Sequence, residues 1–234
     1  MRSIFSGTLL FLILLTVTAL AASRAEGGTM TLATGGGLFS LEVTSYREAR
    51  FATVVHQQQD YSCGSAALAT LLSHHYQDPV GEAKIFASMY QAGDQEKIRR
   101  VGFSLLDLKN YLESRGYRAD GFRVPLERLG EARVPAIALI DDQGYRHFVV
   151  VKGFTRQRVL IGDPARGLKT MPRGEFEKKW NGILFLIHSL VEVGQAHFNQ
   201  APEWGRVPPA PLETALLQRS VAPLTLLLPP FHDL

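Results

Sequence analysis

Gln57-Gln58-Gln59-Asp60-Tyr61-Ser62-Cys63-Gly64-Ser65-Ala66-Ala67-Leu68 reads as a polar loop that turns into a helix. Ser62 is a candidate cap, and small residues fill the first turn. Ala67, Leu68, Leu71 and Leu72 form an apolar stripe at helical spacing. The spacing predicts a helix over Ser62–Tyr76 with Cys63 at its start. Backbone N–H groups there lack intrahelical partners, and the helix dipole favours negative charge. A thiolate is the nucleophilic form of cysteine, and such a position favours it. Gly64 and Ser65 are expected to let a second backbone approach the sulfur.

Cys63 is the only cysteine in 234 residues, so no internal disulfide can form. The N-terminus bears on this. Met1-Arg2 is followed by the apolar run Leu9–Leu15 and by Ala19-Leu20-Ala21, a small-x-small site. Residues 1–21 therefore read as a secretory signal peptide. An uncleaved anchor is the competing reading, since about 20 weakly polar residues can span a bilayer. No other run is long and apolar enough to span, so no stable membrane span is expected after cleavage. Exported proteins usually pair their cysteines. A lone thiol is then either a small buried hydrophobe or a group in use. A hydrophobic share of 46% fits a globular domain, and a net charge of +3 implies no nucleic-acid partner.

Outward from Cys63, helices are expected over Gly81–Gln91 and Ser104–Arg115, the latter with Ser104 and Asp107 spaced as a cap and its partner. After Gly116 the period changes. Strands are expected over Tyr117–Val124, Pro135–Ile140, His147–Phe154, Arg158–Asp163 and Ile183–His188, with helices over Pro125–Gly130 and Arg173–Trp180. Helices first and an antiparallel sheet later make an α+β layout. Phe39–Val43 alternates and could be a strand. The Gly- and Thr-rich stretch before it reads as a flexible leader. From Ala201 prolines crowd the chain. The expected organisation is a signal peptide at 1–21, a leader at 22–50, a domain at 51–190 and a Pro-rich tail at 191–234.

A nucleophilic thiolate needs an imidazole, and the imidazole an orienter. Seven histidines compete. His74 and His75 lie roughly 16–18 Å along the helix from Cys63 and are expected to be solvated. His197 and His232 fall near or in the tail, and His56 precedes the turn into the helix. His188 stays open. His147 is favoured by the hairpin that follows it. A turn centred on Arg156 sets Val149 opposite Asp163, and period-2 alternation puts Asp163 on the face of His147. A carboxylate there can hold the imidazole's tautomer. An oxyanion would need donors. The Cys63 N–H is one, and Gln57, Gln58 and Gln59 all offer a side-chain amide.

The stretch Gln57–Leu68, with His147-Phe148-Val149-Val150 and Asp163-Pro164, resembles the double-glycine leader peptidases, also called bacteriocin-processing peptidases, of cysteine peptidase family 39. The resemblance covers roughly Val54 to His188. It implies a papain-like fold, with N-terminal helices packed on an antiparallel sheet, and a Cys63–His147–Asp163 endopeptidase. It selects Gln57 as the oxyanion glutamine and calls for no metal or organic cofactor. The best-known members are domains of export ATPases. Here Gly162–Thr170 comes closest to a P-loop, but Leu168 interrupts it. The residues from Ala52 to Leu72 are similar to the peptidase-like component of a bacterial functional-amyloid secretion system. The expected activity is hydrolysis of a peptide bond in a secreted protein or peptide client in the periplasm, in functional-amyloid or biofilm secretion. Amyloid-system components are the expected partners. The competing reading is an idle peptidase-like domain that grips an export client.

Overall fold

The computed structural model describes residues 28–34 and 37–207. The expected signal peptide, His232 and the proline-rich segment from residue 208 lie outside them. Two compact units divide at Tyr46. In the first, β1 (Gly28–Thr34) pairs antiparallel with β2 (Gly37–Val43). The alternation of Phe39–Val43 anticipated β2. The Thr-rich stretch before it is a strand and not a flexible leader, since β-branched threonines suit a pleated surface.

The helices come next. They are α1 (Tyr46–Phe51), α2 (Cys63–His75), α3 (Glu82–Ala92), α4 (Gln95–Val101) and α5 (Leu105–Ser114). Ser104 and Asp107 close a reciprocal capping box at α5. The unexpected α4 is started by Asp94, whose side chain accepts from the Lys97 N–H at 3.0 Å. Then come β3 (Ala119–Arg123), α6 (Leu126–Ala132), β4 (Ala136–Asp142), β5 (Tyr145–Phe154), β6 (Arg158–Asp163), β7 (Gly167–Pro172), α7 (Arg173–Lys179) and β8 (Trp180–Ile187). The six strands form one antiparallel sheet in the order β3-β8-β4-β5-β6-β7. This is the expected α+β fold, helices on an antiparallel sheet.

The alternation of β5 divides the core. Phe148 and Val150 join Cys63, Leu68 and Leu72 of α2 on one face. Val149 and Val151 join Leu126 and Leu129 of α6 and Phe176 of α7 on the other. Helix α2 is buried well beyond one stripe, Ala66, Ala69 and Thr70 included. Gly64 serves this packing and not a substrate. A Cβ there would lie 3.1 Å from Phe103 and 3.2 Å from Leu108. Ser65 is likewise turned inward, donating to the buried Glu82 at 2.8 Å. The expected open approach beside Cys63 is therefore absent at these two residues. His75 is buried and not solvated, with Nδ1 3.0 Å from the His197 carbonyl.

The segment from residue 191 also departs from expectation. It forms α8 (Val191–Ala196) and α9 (Ala201–Arg206) before the described residues end. Gly194 packs on the Tyr76 ring, and Glu203 is buried in an ion pair with Lys152 of β5. Buried anchors of this kind outweigh the proline content that suggested a tail.

Candidate active site

Helix α2 fixes Cys63, which is 4% exposed. Ser62 stands at the cap position but does not cap. Its hydroxyl accepts from the Gln59 N–H at 3.1 Å and donates to the Gln59 carbonyl at 3.0 Å, which ties the loop back on itself. The first N–H groups of α2 thus have no side-chain cap competing with an anion.

His147 is placed by two hairpins. The β4–β5 turn is Gln143-Gly144, both at positive φ (60° and 86°), the geometry of a two-residue turn that follows strand twist. It aligns His147 with Ile140. The β5–β6 turn fixes the other side. Its tip closes Thr155 on Arg158 and pairs Gly153 with Leu160, one step off a turn centred on Arg156. An irregularity at Lys152 then restores the expected pairing, Val151 with Ile161 and Val150 with Gly162. His147 and Asp163 meet as that register requires, Nε2 to Oδ1 at 2.8 Å.

Asp163 is 1% exposed and fully used. Oδ1 also accepts from the Ala165 and Arg166 N–H groups at 2.9 and 3.2 Å. Oδ2 accepts from Lys169 Nζ at 2.7 Å. The carboxylate therefore both shapes the turn into β7 and orients His147. Gly167 ends that turn at φ 76°, and a Cβ there would strike the Arg50 backbone at 2.7 Å. Burial works against the charge. The hydrogen bond from His147 and the Lys169 ammonium outweigh it and hold the Asp163 carboxyl well below the ordinary range.

His147 is 5% exposed, and burial opposes its protonation. The hydrogen bond with Asp163 and the influence of Asp163 and Cys63 prevail and raise it from 6.5 to about 9. With Nε2 engaged by Asp163, the buried Nδ1 has no other nitrogen or oxygen partner and is the nitrogen left for Cys63. A folded pKa above the unfolded value makes this a stabilisation complete below about pH 6.5 and lost as pH rises to about 9. Chemical denaturation across that range should show the midpoint of the wild type falling relative to His147→Gln.

Three of the other histidines are engaged elsewhere. His188, left open above, has Nε2 2.9 Å from Asp120 Oδ2. His56 lies edge-on against Phe51, and His197 faces the Val193 carbonyl. Gln57 is stapled to the acid's turn, its N–H donating to the Pro164 carbonyl at 3.0 Å. Its Nε2 donates to the Gln59 carbonyl at 3.0 Å, and its Oε1 is buried without a partner.

Two neighbours of the site were missed in the sequence. Lys169 sits on β7, whose stretch Leu168-Lys169-Thr170-Met171 has no apolar–polar alternation to mark it as a strand. Tyr145 lies two residues before His147, hence on its face, with ring centroids 6.0 Å apart. Among the described residues, no cluster of three or more His, Cys, Asp or Glu side chains could hold a metal ion.

Comparison with known proteins bears on the family and the fold. A family model described as "Peptidase C39 family" matches residues 52–191. The chain is 43% identical over 178 residues, 76% of each protein, to "Probable functional amyloid protease FapD" of Pseudomonas aeruginosa. It is 41% identical to the protein of the same description from Pseudomonas fluorescens, over 72% of this chain and 75% of that one. The crystal structure of the peptidase domain of Streptococcus ComA, described as a bi-functional ABC transporter involved in a quorum sensing pathway, superposes with a TM-score of 0.50 at 20% identity. It covers 58% of this chain and 96% of that domain, a likeness of fold. This chain belongs to the peptidase C39 family of cysteine peptidases.

Proposed function

We propose that this chain is a Cys63–His147–Asp163 endopeptidase that is exported to the periplasm and cuts a secreted client of a functional-amyloid system. The observation that carries the reading is the buried His147, with one ring nitrogen on Asp163 and the other left to Cys63. A ring held protonated through neutral pH is the state that can hand a proton to a leaving amine.

In this mechanism the proton of Cys63 already rests on His147 Nδ1, and the sulfur attacks the scissile carbonyl carbon as the thiolate. The oxyanion is met by the Cys63 N–H and by Gln57 Nε2, which exchanges the Gln59 carbonyl for it. The C–N bond then breaks, and Nδ1 delivers its proton to the departing amine. Water attacks the thioester with His147 as base, which releases the acid and regenerates the thiol. Asp163 keeps the ring's orientation throughout. The sequence similarity to proteins described as functional amyloid proteases supports the client class. The signal sequence supports the compartment.

The reading is tested in the native cell by mapping protein N-termini in the periplasm and medium with the wild type and with Cys63→Ala. At least one terminus in a secreted protein is expected to vanish in the variant. Identical sets of termini would sink the proposal. The low exposure of Cys63 favours, by itself, the rival reading of an idle client-binding domain. That rival predicts the same termini in both strains, with secretion intact.

A further inference from the structure

The Cys63–His147 pair is nearly closed to solvent, yet beside His147 stands a side chain that is 49% exposed, Tyr145. Tyr145 starts β5, the strand that carries His147. Its hydroxyl crosses to the loop before α2 and donates to the Asp60 carbonyl, three residues before Cys63. The ring runs alongside the His147 ring at 6.0 Å. Partial burial, Cys63 and Asp60 all push the phenol pKa upward. Tyr145 thus joins the histidine strand to the loop that enters α2.

We propose that Tyr145 is a latch over the nucleophile, held shut by its hydrogen bond to the Asp60 carbonyl and opened when a backbone N–H of an extended peptide takes that carbonyl instead. Three observations converge on this. Cys63 and His147 have almost no exposure, so a substrate carbonyl cannot reach the sulfur until a neighbouring side chain moves. The ring is half-exposed and has solvent to swing into. The acceptor is a main-chain carbonyl, which an incoming peptide satisfies as well as a phenol does. Replacing one hydrogen bond by another leaves no buried acceptor unpaired. The natural key is therefore a peptide in extended conformation, docking along the loop by its main chain. Tyr145 acts as a positioning and access residue, outside the proton transfers.

The identity of the key rests on the peptidase reading, but the latch can be tested without it. Cys63 is the only thiol, so alkylation of the full chain reads this site alone. Wild type, Tyr145→Phe and Tyr145→Ala are treated with iodoacetamide and with the bulkier fluorescein maleimide, and intact mass is followed over time. Thermal melts confirm that both variants fold. Tyr145→Phe is expected to speed modification about five-fold, the factor one ordinary hydrogen bond is worth. Tyr145→Ala is expected to speed it further, and the gain is expected to be larger for the maleimide. Unchanged rates in both variants would overturn the latch. So would equal gains for both reagents in Tyr145→Ala, which would mean an altered sulfur and not an opened path. With a peptide substrate, Tyr145→Phe is expected to lower KM and leave kcat unchanged, because the competent open state is more populated. A fall in kcat would make the hydroxyl part of the chemistry and overturn the proposal. Were the wild type to hydrolyse no peptide, the peptidase reading would fail while the alkylation rates still decided the latch.

Discussion

Cys63→Ala is expected to abolish peptide-bond hydrolysis, and Asp163→Asn to lower kcat/KM by about 10³- to 10⁴-fold, the range known when a triad carboxylate becomes an amide. The structure says why so small a change should cost so much. The two carboxylate oxygens accept from four donors: His147 Nε2, the Ala165 and Arg166 N–H groups, and Lys169 Nζ. An asparagine has one acceptor oxygen and an NH2. If its oxygen keeps His147, its NH2 meets the Lys169 ammonium. If it turns to avoid the lysine, its NH2 faces His147 Nε2 and two backbone N–H groups. That second arrangement forces the proton onto Nδ1, the nitrogen that must accept from Cys63. Steady-state kinetics of the purified full chain on a cleavable peptide provide the check. Asp163→Asn within ten-fold of the wild type would mean that the carboxylate only shapes the turn. The double variant Asp163→Asn with Lys169→Met isolates the argument, because removing the ammonium lets the oxygen stay on His147. It is expected to recover part of the lost rate, whereas Lys169→Met alone leaves Asp163 bound to His147.

The parts of this site that were legible in the sequence were those set by local rules. Cys63 at a helix start follows from cap residues and an apolar stripe. The pairing of Val150 with Gly162 follows from where the chain turns. That pairing holds only because two departures cancel. The hairpin tip is one step off, and the irregularity at Lys152 takes the step back. Gln57 could be preferred over Gln58 and Gln59 by family resemblance alone, since nothing local separates three successive amides. The contact between Tyr145 and Asp60 spans 85 positions, and no periodicity reports it. The direction of Gly64 is set by Phe103 and Leu108 on other elements. The burial of His75 depends on the segment around His197, which its composition had marked as tail. Each miss comes from tertiary packing overriding a local signal.

Glu203→Gln is expected to destabilise the fold by about 3–5 kcal/mol, the usual cost of breaking one side of a buried ion pair. Lys152 is 0% exposed, although it lies on a strand whose neighbours are valines. Its ammonium is paired with Glu203 and donates to the Thr53 carbonyl at 2.7 Å. Burial lowers its pKa, and the Glu203 carboxylate opposes that. The lysine also stands at the irregularity that sets the His147–Asp163 register, and its carbonyl accepts from the Asn199 N–H at 2.8 Å. Helix α9 therefore clamps the strand that carries the histidine. Glu203→Gln leaves the ammonium buried beside a neutral amide. The expected outcome is a lower denaturation midpoint, with loss of hydrolysis that tracks unfolding. The double variant Lys152→Met with Glu203→Leu removes both charges and is expected to regain most of the stability. Its activity then separates two roles for the pair. If hydrolysis returns with stability, the pair only holds the fold. If the refolded double variant stays slow, the irregularity at Lys152 sets the geometry of His147 and needs the charge to keep it. A single Glu203→Gln that melts like the wild type would show that α9 is not a structural part of the peptidase domain.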